Sequence, residues 1–520
     1  MTFTHIVVGA GSAGCVLAAG LSRDPRHRVL LLEAGPDYSV RALPADLHDG
    51  TTPAFGSHDW GLNAYGPAGR RIPLPRGRVV GGTSQINSCI ALRPEPTDFA
   101  ALSAPDAPWW HWQHLLGSFR DLERDTDFAG PHHGRDGALA IRRPAAATLT
   151  HASAAFVAAC QALGFAAVDD HNEPGTTGVG LAPLNLTVDG GRLSARLVFL
   201  DPARARDNLT VLSGATVDRV VFSGRRAVGV EYTADGLPEA RVALAPTVVL
   251  AAGAYGTPVV LLRSGLGPRA EIEAAGVVPI ADLPGVGANL ADHSQVPVPF
   301  LFRDLDERDG VPCVQALLRY TSTAPGSRRN DMQLCLINHV DLPSYRPDLA
   351  RAWVSAVASS LTANLMLPGS RGTVHLAPGG RDPFISYSFT DHPEDLARHR
   401  EGVRWVCRIL SRKPFTEMIE QIHRPTEDTL SDNSALDAWI LANVQPGHHP
   451  VGTARAGSAD DPLTVLRPDL SVRHVDGLYV ADASALPDPI RANTNLTVMA
   501  VAHTALRLLS DTTRQGGVRV

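Results

Sequence analysis

The sequence has no continuous run of eighteen apolar residues, so no helix able to cross a bilayer is predicted. It also lacks paired cysteines. Its six stand apart at 15, 89, 160, 313, 335 and 407, with no C-x-x-C spacing. That pattern excludes a disulfide framework and a cysteine zinc site, and it predicts a reducing compartment. There is no excess of positive charge. The formal net charge is −6, and nothing in it draws the chain to nucleic acid or an anionic membrane. Met1-Thr2-Phe3-Thr4 runs straight into an apolar stretch, leaving no room for a leader, so the expectation is a cytoplasmic chain. Neither an internal repeat nor a low-complexity segment is found. No serine, including Ser194, Ser264 and Ser484, sits in a nucleophile elbow.

What is present starts at Thr4. His5 to Val8 suits a buried parallel strand. Gly9, Gly11 and Gly14 follow as G-x-G-x-x-G, with Ser12 and Ala13 between them. The first glycine permits a tight turn and the second admits a pyrophosphate against the backbone. The third lets the next helix, Ala13 to about Ser22, lie close to the sheet. That helix aims its first amides at the pyrophosphate. A second apolar strand, Val29 to Leu32, ends in Glu33 and Ala34, where an acid reads a ribose 2′-hydroxyl. The acid favours an unphosphorylated ribose, hence FAD or NAD. With 520 residues the chain has room for two or three lobes.

Pro36 to Pro75 is rich in Pro, Gly and Asp and reads either as a cofactor cover or as a surface excursion. Gly77 to Ile90 carries paired glycines and small hydroxyl residues, which suit either backbone packing on a flat ring or a plain turn. Trp109 to Arg124 and Ala152 to Leu163 read as helices. His132 and His133 lie in a Gly/Pro loop with no acid or third histidine at ligand spacing, so a surface position is expected rather than a metal site. Strands are predicted at Leu209–Leu212, Val217–Phe222 and Ala227–Tyr232, the last two forming a hairpin about Gly224, and the chain returns to the sheet over Thr247–Gly253. Met332 to Ile337 and Thr373 to Leu376 read as strands of an antiparallel sheet, and Pro393 to Leu410 and Leu436 to Asn443 as helices. The tail from Thr512 is polar and expected to fray.

Several of these stretches resemble the glucose–methanol–choline (GMC) oxidoreductase family, flavoenzymes that oxidise alcohols. Gly77 to Ile90 is similar to its first signature. Asn87-Ser88-Cys89-Ile90-Ala91 is nearest the choline oxidase branch. Gly253 to Gly267 matches the second signature at every defined position. Leu283 to His293 and Gly369 to Val374 are further family blocks, Gly447 to Thr453 matches H-x-x-G-T, and Val480 to Pro487 matches the D-A-S segment. The resemblance runs from Ile6 to about Leu509.

It implies an α/β fold with a Rossmann-like FAD-binding domain at 1–293 and an α+β substrate-binding domain on an antiparallel sheet at 294–444. A segment at 445–520 returns to the flavin. It implies FAD held by the G-x-G-x-x-G turn, by Glu33 and Ala34, and by Val80, Gly82, Thr83, Asn87, Ser88, Cys89 and Ile90. Val217 is placed near the adenine, with Ala252, Asp482, Ala483, Asn493 and Thr494 completing the set. Some members link FAD to a histidine just before the asparagine. Ile86 stands there, so non-covalent FAD is expected. His449 takes the catalytic position, Asn493 that of its partner, and His448 that of a wall residue. His293 belongs to a structural block along the flavin. Ala456 replaces a common Met, with only a packing change expected.

The function implied is oxidation of an alcohol, with oxygen or an unidentified carrier as electron acceptor. A histidine base implies a rate rising with pH through one ionisation near the ordinary imidazole value. Three other readings stand beside it. One is a dehydrogenase using a dedicated carrier, as in the mycofactocin-associated branch, which Asp127 to Arg143 resembles. Another is a flavin-bearing lyase like the hydroxynitrile lyases, and the last is a non-catalytic FAD-binding module.

Overall fold

The computed structural model describes residues 3–100, 102–103, 107–237, 239–303, 310–377 and 379–515, with side chains of the last helix described to 509. The remainder of the predicted frayed tail lies outside the described residues.

Five short strands form a parallel sheet in the order Leu478–Val480, Thr247–Leu250, His5–Val8, Val29–Leu32, Leu209–Leu212. All four residues of His5–Val8, and of Val29–Leu32, are buried, as expected of strands covered on both faces. The first helix, Ser12–Leu21, follows the glycine turn. It packs on the last helix, Thr494–Gln515, so closely that a Cβ added at Gly20 would sit 2.2 Å from Leu506. Ser12 Oγ donates to Asn495 Oδ1 at 2.7 Å and ties the two N-termini together. Beside this sheet lies a three-stranded antiparallel one, Ala215–Ser223, Arg226–Ala234 and Arg241–Leu244, whose first turn is the expected hairpin.

The second large sheet has eight strands and is mostly antiparallel. Its order is Ile419–Ile422, Ser294–Phe302, Val357–Leu365, Met332–Asp341, Ala316–Tyr320, Gly178–Leu181, Ala167–Val168, with Gln445–Pro446 also paired to Ser294–Phe302. Its side chains alternate. Val298, Phe300, Leu334, Leu336, Leu361 and Ala363 face the helices His151–Ala162 and Pro393–Leu410 in a second hydrophobic core. Their neighbours face a large cavity between this sheet and the parallel one. Period-two alternation thus makes one strand serve a core and a site at once.

Three expectations need correction. The sheet takes two strands from 167–181, well before residue 294. Thr373–Leu376 is not part of it. This strand pairs with Pro383–Ser386, which continues onto Leu62–Tyr65 and Arg71–Leu74, so the excursion after Pro36 is partly ordered as sheet. The helix predicted at Trp109–Arg124 is shorter. Pro108–Trp110 is a 3₁₀ turn, His111 is extended, and the α-helix is Trp112–Leu122. The indole N–H groups of Trp109 and Trp110 both donate to Pro468 O, at 2.7 and 2.9 Å, which fixes that turn. Glu123–Asp125 leaves the helix to pair with Leu139–Ile141.

His133 is also not on the surface. It is 4% exposed and faces Asp125 at 3.1 Å and Asp170 at 2.9 Å, with Glu123 at 3.7 Å. Arg143 bridges Asp125 and Asp170, and Arg93 pairs with Glu123. Burial alone would lower the His133 pKa, but the carboxylates of Asp125, Asp170 and Glu123 that face its ring nitrogens raise it to about 11. Three carboxylates are thus balanced by two guanidinium groups and an imidazolium. Three acidic and imidazole ligand atoms do lie close together here. The arginines already supply the positive charge a metal would bring. His132 sits outside, paired with the half-exposed Glu173 at 2.9 Å.

Candidate active site

The cavity runs from the glycine turn to the large sheet, and the catalytic candidates lie at its middle. At one end Gly9 has φ +97°, and a Cβ there would meet Ala251 O at 2.6 Å. A Cβ on Gly82 would lie 2.6 Å from Gly11 Cα, so two glycine turns approach backbone to backbone. The Gly81 N–H donates to Ala10 O at 2.7 Å and holds them together. Glu33 is buried, and its carboxylate accepts from the amides of Ala10 and Gly35, both at 2.9 Å. Desolvation pushes its pKa up to about 7 against those donors.

The cavity wall includes Gly9, Gly11, Ser12, Ala13, Glu33, Ala34, Gly82, Thr83, Asn87, Ser88, Cys89 and Ile90. Further along it includes Val217, Ala252, Asp482, Ala483, Asn493 and Thr494. Gly14 and Val80 are not on the wall. A Cβ on Gly14 would fall 1.8 Å from Gly9 O, so this glycine serves packing beneath the turn. Val80 is fully buried and donates its N–H to Pro36 O. The Asp482 carboxylate accepts from Gly253 N at 2.8 Å, Thr257 Oγ1 at 2.6 Å and Ser484, so it clamps the start of the helix Gly253–Arg263. Ile86 is buried among Leu47, Ala54 and Val79.

At the centre, His449 Nε2 accepts from Asn493 Nδ2 at 3.0 Å, and His449 Nδ1 lies 3.0 Å from His293 Nδ1. His293 Nε2 is 2.7 Å from Ile490 O. A carbonyl oxygen can only accept, so His293 carries its proton on Nε2. Its Nδ1 then offers a lone pair, and His449 must donate from Nδ1. That leaves a lone pair on His449 Nε2, facing Asn493 and the cavity. One carbonyl thereby sets the tautomer of both rings and the orientation of the Asn493 amide. Burial lowers both histidines, His293 to about 4 and His449 well below the ordinary value, the latter aided by His293, His448 and Arg76. Both rings are therefore neutral. The backbone places His449 through its N–H, which donates to Asp292 Oδ1 at 2.8 Å. Asp292 also accepts from Tyr387 Oη at 3.0 Å, and desolvation raises its pKa to about 7.

His448 differs. Its φ is +65°, its ring meets Phe55 edge-on at 5.6 Å, and neither ring nitrogen has a partner. Its carbonyl accepts from Arg76 Nη2 at 2.9 Å. His293 is the residue that sequence reasoning left out of the chemistry. Its one signal was a histidine directly after a buried acid in a family block.

Asn493 Oδ1 and Thr497 Oγ1 are buried without partners at the start of the last helix. A flavin fits this arrangement. The glycine cradle would hold a pyrophosphate, Glu33 would face the ribose hydroxyls, and Asn493, on the same wall, would lie along the ring. The fold and site thus define a dinucleotide-binding flavoprotein with a histidine–asparagine pair on the wall of a large chamber.

Comparison with known proteins gives the family. A family described as GMC oxidoreductase matches at residues 3–295 and, through its C-terminal part, at residues 368–502. The chain is 31% identical over 532 residues to an oxygen-dependent choline dehydrogenase of Photobacterium profundum, covering 97% of this chain and 92% of that one. It is 32% identical over 534 residues to the 5-(hydroxymethyl)furfural oxidase of Methylovorus sp., covering 96% and 97%. The crystal structure of pyridoxine 4-oxidase from Mesorbium loti superposes with a TM-score of 0.88 at 28% identity, over 98% of this chain and 99% of that one. The protein belongs to the GMC oxidoreductase family and is an FAD-dependent oxidoreductase acting on alcohol groups. No helix among the described residues is long and apolar enough to cross a membrane.

Proposed function

We propose that the protein oxidises an alcohol, preferably primary, to the aldehyde, with His449 as acid/base and Asn493 as its partner. Bound FAD supplies the two-electron acceptor for the hydride leaving the carbinol carbon. The chain's own part is to hold the alcohol and take its proton. The His449 Nε2 lone pair accepts the hydroxyl proton while Nδ1–H stays bonded to His293. Asn493 Nδ2 already points at the same nitrogen, where it holds the alcohol oxygen within reach. His293 is a positioning residue that keeps His449 in the required tautomer.

The observation that carries this reading is the hydrogen-bond chain from Ile490 O to Asn493. A passive FAD module needs no such aimed lone pair, whereas a lyase would use one and is told apart by failure of every alcohol to bleach the flavin anaerobically. The test is anaerobic stopped-flow flavin reduction with primary alcohols. His449→Ala is expected to slow it by roughly 10²–10⁴-fold, the usual worth of a placed base, and His448→Ala by far less. Equal rates in wild type and His449→Ala would overturn the assignment. Peroxide release in air separates oxygen from a carrier as acceptor.

FAD is held non-covalently, because Ile86 offers no nucleophile. Acid precipitation should therefore leave the flavin in the supernatant, and a yellow pellet would refute this.

A further inference from the structure

The substrate end of the cavity is a face of the large sheet, and its register brings four carboxamides into one row. Gln445 pairs with Gln295, Gln295 with Asn364, and Asn364 with Gln333, across four strands. All four line the cavity, and Gln295 is two residues from His293. Gln295 Nε2 donates to Pro446 O at 3.0 Å, and Asn364 Nδ2 to Gln333 O at 3.3 Å. Gln333 Nε2 has no partner, although the residue is only 7% exposed. A buried amide left unpaired is costly, so this donor calls for an acceptor, which a ligand supplies once the side chain turns its amide toward the cavity it lines.

The same end offers little to a cation. Among the described residues the carboxylates on the wall are Glu33, Asp482 and Asp341. The first two belong to the nucleotide end and are engaged by backbone amides. Asp341 lies eight residues along the strand from Gln333, roughly 25 Å at the strand rise. Two of the aromatic rings that could cage an ammonium are taken. Arg78 lies over Trp60 at 5.4 Å, and Arg76 over Tyr255 at 5.6 Å. The cavity already carries Arg76 and Arg346 on its wall.

We propose that this carboxamide row selects uncharged alcohols that carry a hydrogen-bond acceptor near the carbinol, such as hydroxymethyl heteroaromatics, and turns away quaternary ammonium alcohols such as choline. The proposal rests on the alcohol-oxidising reading. Its test separates the two by measuring binding with probes that cannot be oxidised.

Oxidised holoenzyme is titrated with the three methylpyridine isomers, toluene and tetramethylammonium, following the flavin absorbance band. The best methylpyridine is expected to bind about tenfold more tightly than toluene, the worth of one good hydrogen bond, and tetramethylammonium to give no change. Gln333→Leu, close in size and without the donor, is expected to erase the preference over toluene while flavin content stays the same. Gln333→Glu is expected to gain tetramethylammonium binding, and it guards against a Gln333→Leu protein that fails to fold. Equal binding of toluene and all three methylpyridines overturns the proposal. So does an unchanged preference in Gln333→Leu, or tetramethylammonium as the tightest ligand of wild type. Anaerobic reduction by the matching alcohols follows. If the binding order holds but no alcohol bleaches the flavin, the oxidase chemistry fails and the selectivity stands.

Discussion

At the scale of single residues, the site turns on which nitrogen of His449 holds the proton. The family resemblance pointed to His449 and Asn493. It could not place His293, because that residue's role depends on a carbonyl 197 residues away. The pH behaviour follows from the same geometry. The proposed base works in its unprotonated form, and burial holds His449 well below the ordinary imidazole pKa. The limiting rate of flavin reduction is thus expected to be level between about pH 6 and 8 and to fall only in more acid solution. This replaces the ionisation near neutrality that an unperturbed histidine implies. In His293→Ala the acceptor for Nδ1–H is gone and water gains access. Reduction should slow, and its acid limb should move up toward the ordinary imidazole value. His293→Asn, which returns an acceptor at the Nδ1 position, should recover part of both. A His293→Ala enzyme with the wild-type pH profile would mean that the ring serves packing alone.

At the scale of elements, the legible parts were those with local patterns. The parallel strands announce themselves by apolar runs, the hairpin by Ser223-Gly224, and Pro393–Leu410 by its proline start and helical spacing. The illegible parts depend on partners far along the chain. Gly178–Leu181 carries two glycines in four residues and no strand pattern of its own, yet Ala316–Tyr320 recruits it as a strand. The carboxamide row exists only in the register of four strands.

His133 belongs here too, since the acids that bury it come from the strand Glu123–Asp125 and from Asp170. Its folded pKa of about 11 stands above the ordinary 6.5. It therefore adds stability that is complete below pH 6.5 and lost as pH rises toward 11. His133→Leu is expected to lose about 3–5 kcal/mol near pH 6, because removing one member strands a buried charge. The gap from wild type should narrow at pH 9. Denaturant unfolding of the holoprotein at both values measures it, and a gap that widens with pH would refute a protonated His133.

At the scale of the whole molecule, the fold joins distant stretches of chain at one place. The parallel sheet sets residues 5–8 beside 247–250 and 478–480, and the Ser12–Asn495 bond spans 483 positions. Such closure is slow to search and comes late, because long loops must be ordered before their contacts form. During synthesis, a ribosome that has released the glycine turn still holds the histidine and the last helix. The nascent chain therefore has half a nucleotide cradle until residues 449–495 emerge. Cofactor loading is thus expected to wait for the helix that begins at Thr494, because that helix closes the cradle through the Ser12–Asn495 bond.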